Sequence, residues 1–134
     1  MTEQEKLVTD YIETVWNTGN YQALESMTTS DFAYHLGGQP PRDRAGLQLF
    51  VTSCRRSFPD WRVAIESIVS TDDQVAVRWR GQVTHQGEFH GILATGRKVH
   101  VSGMNFYRLA GDKIAEEWEQ TDSLDLLRQL GALP

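Results

Sequence analysis

Apolar residues recur at helical spacing over residues 3–16, where Leu7, Val8, Tyr11, Ile12, Val15 and Trp16 make one continuous stripe. Thr2 with Glu5 reads as a capping box, and Gly19 ends the segment. The pattern then predicts a short second helix from Tyr21 to about Met27, a brief strand over Asp31–Leu36 and a turn-rich stretch over Gly37–Arg44. Asp43 can cap a third helix, with Leu47, Phe50, Val51, Cys54 and Phe58 at helical positions and Pro59 as its stop. From Trp61 the period changes to two. Trp61, Val63 and Ile65 alternate with Arg62, Ala64 and Glu66; beyond the turn Ser70–Asp73, Val75, Val77 and Trp79 alternate with Ala76, Arg78 and Arg80 toward His85. A glycine-punctuated loop over 87–97 precedes two more strands, about 98–109 and 113–121, joined by Ala110-Gly-Asp. Leu124, Leu126, Leu127 and Leu130 predict a short closing helix ended by Gly131.

Helices followed by a run of strands place the chain in the α+β class. The expected architecture is a cone-shaped barrel: a strongly curved, mainly antiparallel sheet closed by three helices, with a short C-terminal helix and an interior pocket. The 134 residues are read as one domain, without repeats or low-complexity segments.

Alternation assigns side chains to faces. On the last strand Trp118, Gln120 and Asp122 share a face, while Glu117 and Glu119 point the other way. A tight turn after Leu109 would set Asn105 opposite Trp118 and Val101 opposite Asp122, so Trp118, Gln120, Asp122 and Asn105 are expected in the pocket. Trp79, Val83 and His85 face together on the neighbouring strand. Met104 and Phe106 lie on the other face of the 98–109 strand, which makes both sheet faces apolar and points to a homodimer or higher homo-oligomer.

Composition narrows the function. A formal charge of −5, a pI near 5.3 and arginines scattered among carboxylates exclude the basic face of a nucleic-acid binder. No apolar run reaches membrane-helix length and the N-terminus carries no leader pattern, so a cytoplasmic protein without a membrane partner is expected. Cys54, the single cysteine, reads as an inert thiol on a helix stripe. The four histidines lack close metal-ligand spacing, and Gly91–Gly96 lacks the Lys-Ser/Thr of a phosphate loop, so neither a metal site nor a phosphate loop is expected.

An ordered set of short matches runs through almost the whole chain: Val15-Trp-Asn-Thr-Gly-Asn20, Asp31 through His35, Phe58-Pro-Asp60, Thr84-His85 with Gly87-Glu-Phe, Gly91 with Ala94-Thr-Gly-Arg97, Lys113-Ile with Glu117-Trp, Asp122, and Leu127 to Gly131. In these the chain resembles the SnoaL-like polyketide cyclases of the nuclear-transport-factor-2-like cone superfamily. Val83 departs from the pattern, since a glycine is commoner there. The resemblance implies a homo-oligomeric enzyme without cofactor, in which Asp122 is the acid/base group. It would remove a proton from a carbon beside carbonyls, and the enolate would close a ring by intramolecular aldol addition. His35, His85, Asn105 and Gln120 are then candidates for holding the oxyanion, and Trp16, Trp79 and Trp118 for the substrate wall. Each has a plainer alternative: Asp122 precedes a helix and can be its N-cap, and the tryptophans can be core. Isomerisation, hydration or epoxide opening in the same pocket is the rival chemistry, and a non-catalytic small-molecule-binding accessory protein is the rival class.

Overall fold

The computed structural model describes residues 1–133. Helix α1 (Glu3–Tyr11) starts at Thr2, whose hydroxyl accepts the Glu5 N–H at 3.0 Å. The apolar stripe continues past α1, but as a π-helical turn over Ile12–Asn17 rather than as α-helix. This wider turn buries Ile12, Val15, Trp16 and Asn17 together. Asn17 thereby reaches the start of the sheet, bonding the Val63 carbonyl at 3.0 Å and the Val63 N–H at 2.9 Å. Helix α2 (Ala23–Met27) leads into β1 (Thr28–Leu36), and Asp43 caps α3 (Arg44–Ser57) through the Gly46 N–H. Strands β2 (Ala64–Ser70), β3 (Gln74–Thr84), β4 (Lys98–Ala110) and β5 (Lys113–Thr121) follow, then α4 (Ser123–Gln129).

The five strands form one sheet in the order β1-β5-β4-β3-β2, antiparallel except for the β1–β5 pair. Its concave face holds Val75, Val77, Trp79, Val83, Val99, Val101 and Tyr107, packed against Val8, Tyr11, Val15 and Trp16 of the first helical segment and Leu47 and Val51 of α3. This is the expected cone.

One register detail decides which side chains enter it. At the β4–β5 turn Ala110 pairs with Lys113 and Leu109 with Ile114, as a tight turn requires. Arg108 then pairs with Glu116, so Ala115 is an extra residue, and both it and Ile114 are buried. Beyond this bulge Asn105 faces Glu119 and Phe106 faces Trp118. A single inserted residue exchanges the faces of everything after it. The expected pairings of Asn105 with Trp118 and of Val101 with Asp122 are therefore corrected by one position. Glu117 and Glu119 turn inward, while Trp118 turns outward.

Gly103, on the concave face of β4, leaves room for the Trp79 ring. A Cβ there would stand 2.6 Å from Trp79 Cζ2 and 2.6 Å from the Gln120 carbonyl oxygen. Gly103→Ala should destabilise the fold by about 1–3 kcal/mol through overpacking, read as a lower urea midpoint.

Candidate active site

A cleft of about 510 Å³ opens between α3, the Gly37–Arg42 turn, the 87–97 loop and the end of β5. Trp16, Phe50, Phe58, Trp61 and Phe89 supply aromatic wall, and Glu119 belongs to its lining. Glu119 also borders a smaller hollow of about 20 Å³ with Trp61, Trp79, Asn105 and Tyr107, room for one water.

Two carboxylates therefore lie inside the cone. Glu117 is 0% exposed and Glu119 6%. Glu117 Oε1 accepts the Tyr11 hydroxyl at 2.6 Å, and Glu119 Oε1 accepts the Tyr34 hydroxyl at 2.9 Å. Thr121 donates to Glu119 Oε2 at 2.6 Å. Asn105 Nδ2 donates to both acids, at 2.8 Å to Glu117 Oε2 and 3.4 Å to Glu119 Oε1. The amide cannot be flipped, because Asn105 Oδ1 accepts the Trp79 indole N–H at 2.8 Å. Three buried polar atoms remain without a partner among the described residues: the Trp61 indole N–H, the Tyr107 hydroxyl and His85 Nε2.

Burial dominates the electrostatics. It pushes the Glu117 carboxyl up from 4.5 to about 7, the charge of Glu119 adds to the rise, and the hydrogen bonds from Tyr11 and Asn105 oppose it. Glu119 is raised by burial as well, against the pull of Thr121, Tyr34 and Asn105. Two like charges on alternate residues of one strand resist ionising together, so the pair retains a proton toward neutral pH. The Cys54 thiol on the cleft wall is pushed up to about 12 by burial and by Glu119, consistent with an inert thiol.

The expected site residues are distributed differently. Trp16 lines the cleft, and Trp79 and Asn105 line its inner hollow. Gln120 is exposed at the rim. His85 is fully buried beside Phe58, its Nδ1 accepting the Thr95 N–H at 3.2 Å, and it does not line the cleft. His35 and Trp118 are corrected to the outer face, where their rings stack at 5.2 Å and His35 Nε2 meets Glu116 Oε2 at 2.8 Å. Asp122 is exposed and caps α4, its Oδ1 accepting the Asp125 N–H at 3.1 Å. It borders a shallow outer groove with Met104 rather than the cleft. The bulge explains these displacements on β5; His35 follows because it pairs with Trp118 across β1 and β5. Glu117, Glu119, Tyr11, Tyr34 and Trp61 are the interior groups that alternation did not bring out. The adjacent apolar pair Ile114-Ala115, which breaks the period of two, is the sequence signal that could have found the two glutamates.

The family model for SnoaL-like polyketide cyclases matches residues 6–130. The chain belongs to the SnoaL-like polyketide cyclase family. AclR from Streptomyces galilaeus, a proposed hydroxylase, is 26% identical to this SnoaL-like chain with a TM-score of 0.88, over 98% of this chain and 87% of AclR. IdmH from Streptomyces antibioticus, a proposed polyketide cyclase, is 29% identical with a TM-score of 0.86, over 97% of this chain and 99% of IdmH. A SnoaL-like protein from Jannaschia shares the fold at a TM-score of 0.89 and 20% identity, over 98% of this chain and 94% of that one. No curated protein matches the chain. No helix of the SnoaL-like chain among the described residues is long and apolar enough to cross a membrane. The described residues also contain no cluster of three or more His, Cys, Asp or Glu placed to hold a metal ion.

Because the folded pKa of Glu117 lies above its ordinary value, the fold favours the protonated acid. Its contribution is complete below about pH 4.5 and is lost as pH rises to about 7. Wild-type stability should fall by roughly 3 kcal/mol across that window from this group, and Glu117→Gln should flatten the slope, as read from urea unfolding at a series of pH values.

Proposed function

We propose that the chain is an acid/base enzyme acting on a carbonyl-rich, mainly apolar metabolite, with Glu119 as its base. The observation that carries this reading is a buried carboxylate of raised pKa on the wall of a large aromatic cleft. Burial makes Glu119 a stronger base than a carboxylate in water, and its three donors hold it in one orientation. Glu117, two residues back on the same strand and fully buried, is the second acid of the pair, and its own carboxyl is raised by burial and by the charge of Glu119.

The step conserves atoms. Glu119 takes a proton from a carbon flanked by carbonyls, and the C–H electron pair passes into the enolate. The enolate carbon bonds to a second carbonyl carbon of the same molecule, and the new alkoxide takes its proton back from Glu119. The unpaired Trp61 N–H is the available donor for a developing oxyanion, worth a few kcal/mol where water is excluded. Folding a flexible substrate against Trp16, Phe50 and Trp61 brings the reacting carbons together. This chemistry needs neither metal nor organic cofactor.

Water addition is a second reading, favoured by the one-water hollow beside Glu119 and Asn105. There Glu119 would deprotonate a held water, and Glu117 would be the second carboxylate that epoxide opening or hydration asks for. Ring closure conserves the substrate's mass, whereas hydration raises it by one water, so mass spectrometry of the product separates the two.

Asp122 is the competing base put forward by the family resemblance. Deuterium exchange at the acidic carbon of ethyl 2-naphthoylacetate, followed by NMR in D2O, tests both groups. Glu119→Gln should lower the catalysed rate by ~10²-fold or more. Asp122→Asn keeps an N-capping side chain but removes the carboxylate, and should leave the rate within about threefold. The opposite pattern would return the role to Asp122.

We also propose that a second copy covers the outer sheet face. Met104 is 60% exposed and Phe106 41%, and Phe106 stands edge-on to Trp118 at 6.0 Å. Sedimentation should find a dimer or larger assembly that Phe106→Glu weakens at least tenfold.

A further inference from the structure

We infer that Arg42 is an anchor for a carboxylate on the substrate, so that the cleft selects an acidic carbonyl compound over its neutral ester. This rests on the reading of Glu119 as the base of the same cleft and adds a specificity-determining residue at its other end.

Arg42 is the only lysine or arginine among the described residues lining the cleft. Several other arginines are already occupied. Arg62 pairs with Glu13, Arg78 and Arg80 with Glu66, and Arg108 with Glu116. Arg44 is spent on Thr28 and the Glu25 carbonyl, Arg55 on the Trp16, Asn17 and Trp61 carbonyls, and Arg97 on Gln129. Arg42 has no carboxylate within ion-pair distance among the described residues. One of its N–H groups reaches Gln39 Oε1 at 3.0 Å, and the others are free for a ligand.

Its position is fixed on three sides. The backbone of Arg42 exchanges both hydrogen bonds with Tyr34, at 2.8 and 2.9 Å. The guanidinium lies over the Phe50 ring, 5.0 Å from its centre, and Gln39 holds one edge. Tyr34 therefore carries both ends of the site: its main chain holds Arg42 and its hydroxyl holds Glu119. Between them runs an aromatic surface, with Tyr34 and Phe50 5.8 Å apart and Trp16 6.0 Å from Phe50. Arg42, Cys54 and Glu119 line the same cleft.

A planar guanidinium with a free fork of donors recognises a carboxylate in two parallel hydrogen bonds, which an ester cannot match. A flat, carbonyl-rich acid lying on the aromatic surface would be pinned at one end by Arg42 and would present its activated carbon toward Glu119. The protein carries a net charge of −5 and the cleft also holds Glu88 and Glu119, so the pull of Arg42 on a carboxylate is local, and it orients the ligand by contact rather than by a long-range field.

The test uses binding and so does not depend on turnover. Tryptophan fluorescence is titrated with 2-naphthoate and with methyl 2-naphthoate at near-neutral pH. Wild type should bind the carboxylate about tenfold more tightly than the ester, and the preference should shrink as salt rises. Arg42→Gln should remove the preference while leaving ester affinity within about twofold, and Arg42→Lys should keep part of it. Equal affinity for acid and ester in wild type, a preference that survives Arg42→Gln, or no binding of either probe would overturn the assignment. Glu119→Gln should keep the acid preference, so a failure of the acid/base reading and a failure of the Arg42 anchor are seen in different variants.

Discussion

The extra residue at Ala115 is the constraint on which the interior of this cone depends. Without it, the register begun at Ala110 and Lys113 would run on, and Trp118 would enter the barrel while both glutamates faced out. With it, the inner face of β5 after Ile114 carries Glu117 and Glu119, and the outer face carries Glu116 and Trp118. A bulge costs one or two ladder hydrogen bonds and some twist. In return it commits the strand to burying two acids, which no hydrophobic pattern would select for stability.

That commitment is expensive and the surroundings are built to offset it. An unpartnered buried carboxylate costs several kcal/mol, while a hydrogen bond to a charged group returns about 1.5–3 kcal/mol. Tyr11, Tyr34, Thr121 and Asn105 provide the donors, from four different elements or strand ends. None of them is a cation, so the acids are solvated but not neutralised. This is why burial wins and both carboxyls titrate high. An arginine in the position of Asn105 would make a stable ion pair and a poor base. The amide gives hydrogen bonds without full charge, and Trp79 holds it the right way round.

The architecture was legible because long periodic segments are read from spacing alone. The stripe from Leu7 to Trp16, the capping residues Thr2 and Asp43, and the alternation from Val75 to Trp79 all appear where expected. Asn105 and Trp79 were likewise placed inside, since β4 and β3 pair without interruption from Gln74 to Thr84. The assignment of β5 was lost because parity propagates: one unpaired residue, Ala115, opposite the Arg108–Leu109 step inverts every face that follows. The π-helical turn was lost for a related reason. Its five-residue hydrogen bonds, such as Thr18 N–H to the Glu13 carbonyl at 3.0 Å, leave the apolar stripe almost unchanged while rotating Asn17 inward.

The same inversion separates two kinds of surface on neighbouring residues. On β1, Tyr34 points in and bonds Glu119, whereas His35 points out and stacks on Trp118. On β5, Glu117 is sealed in the cone while Glu116 binds Arg108 and His35 at the surface. The proposed chemistry needs the inner set fixed and dry, and the proposed self-association needs the outer set flat and apolar. Because a strand alternates strictly, neither face can be shifted without shifting the other. A substitution that removed the bulge would therefore move a tryptophan into the cleft and two acids onto the outer surface at once. The two faces are tied by the backbone register rather than by any contact between them.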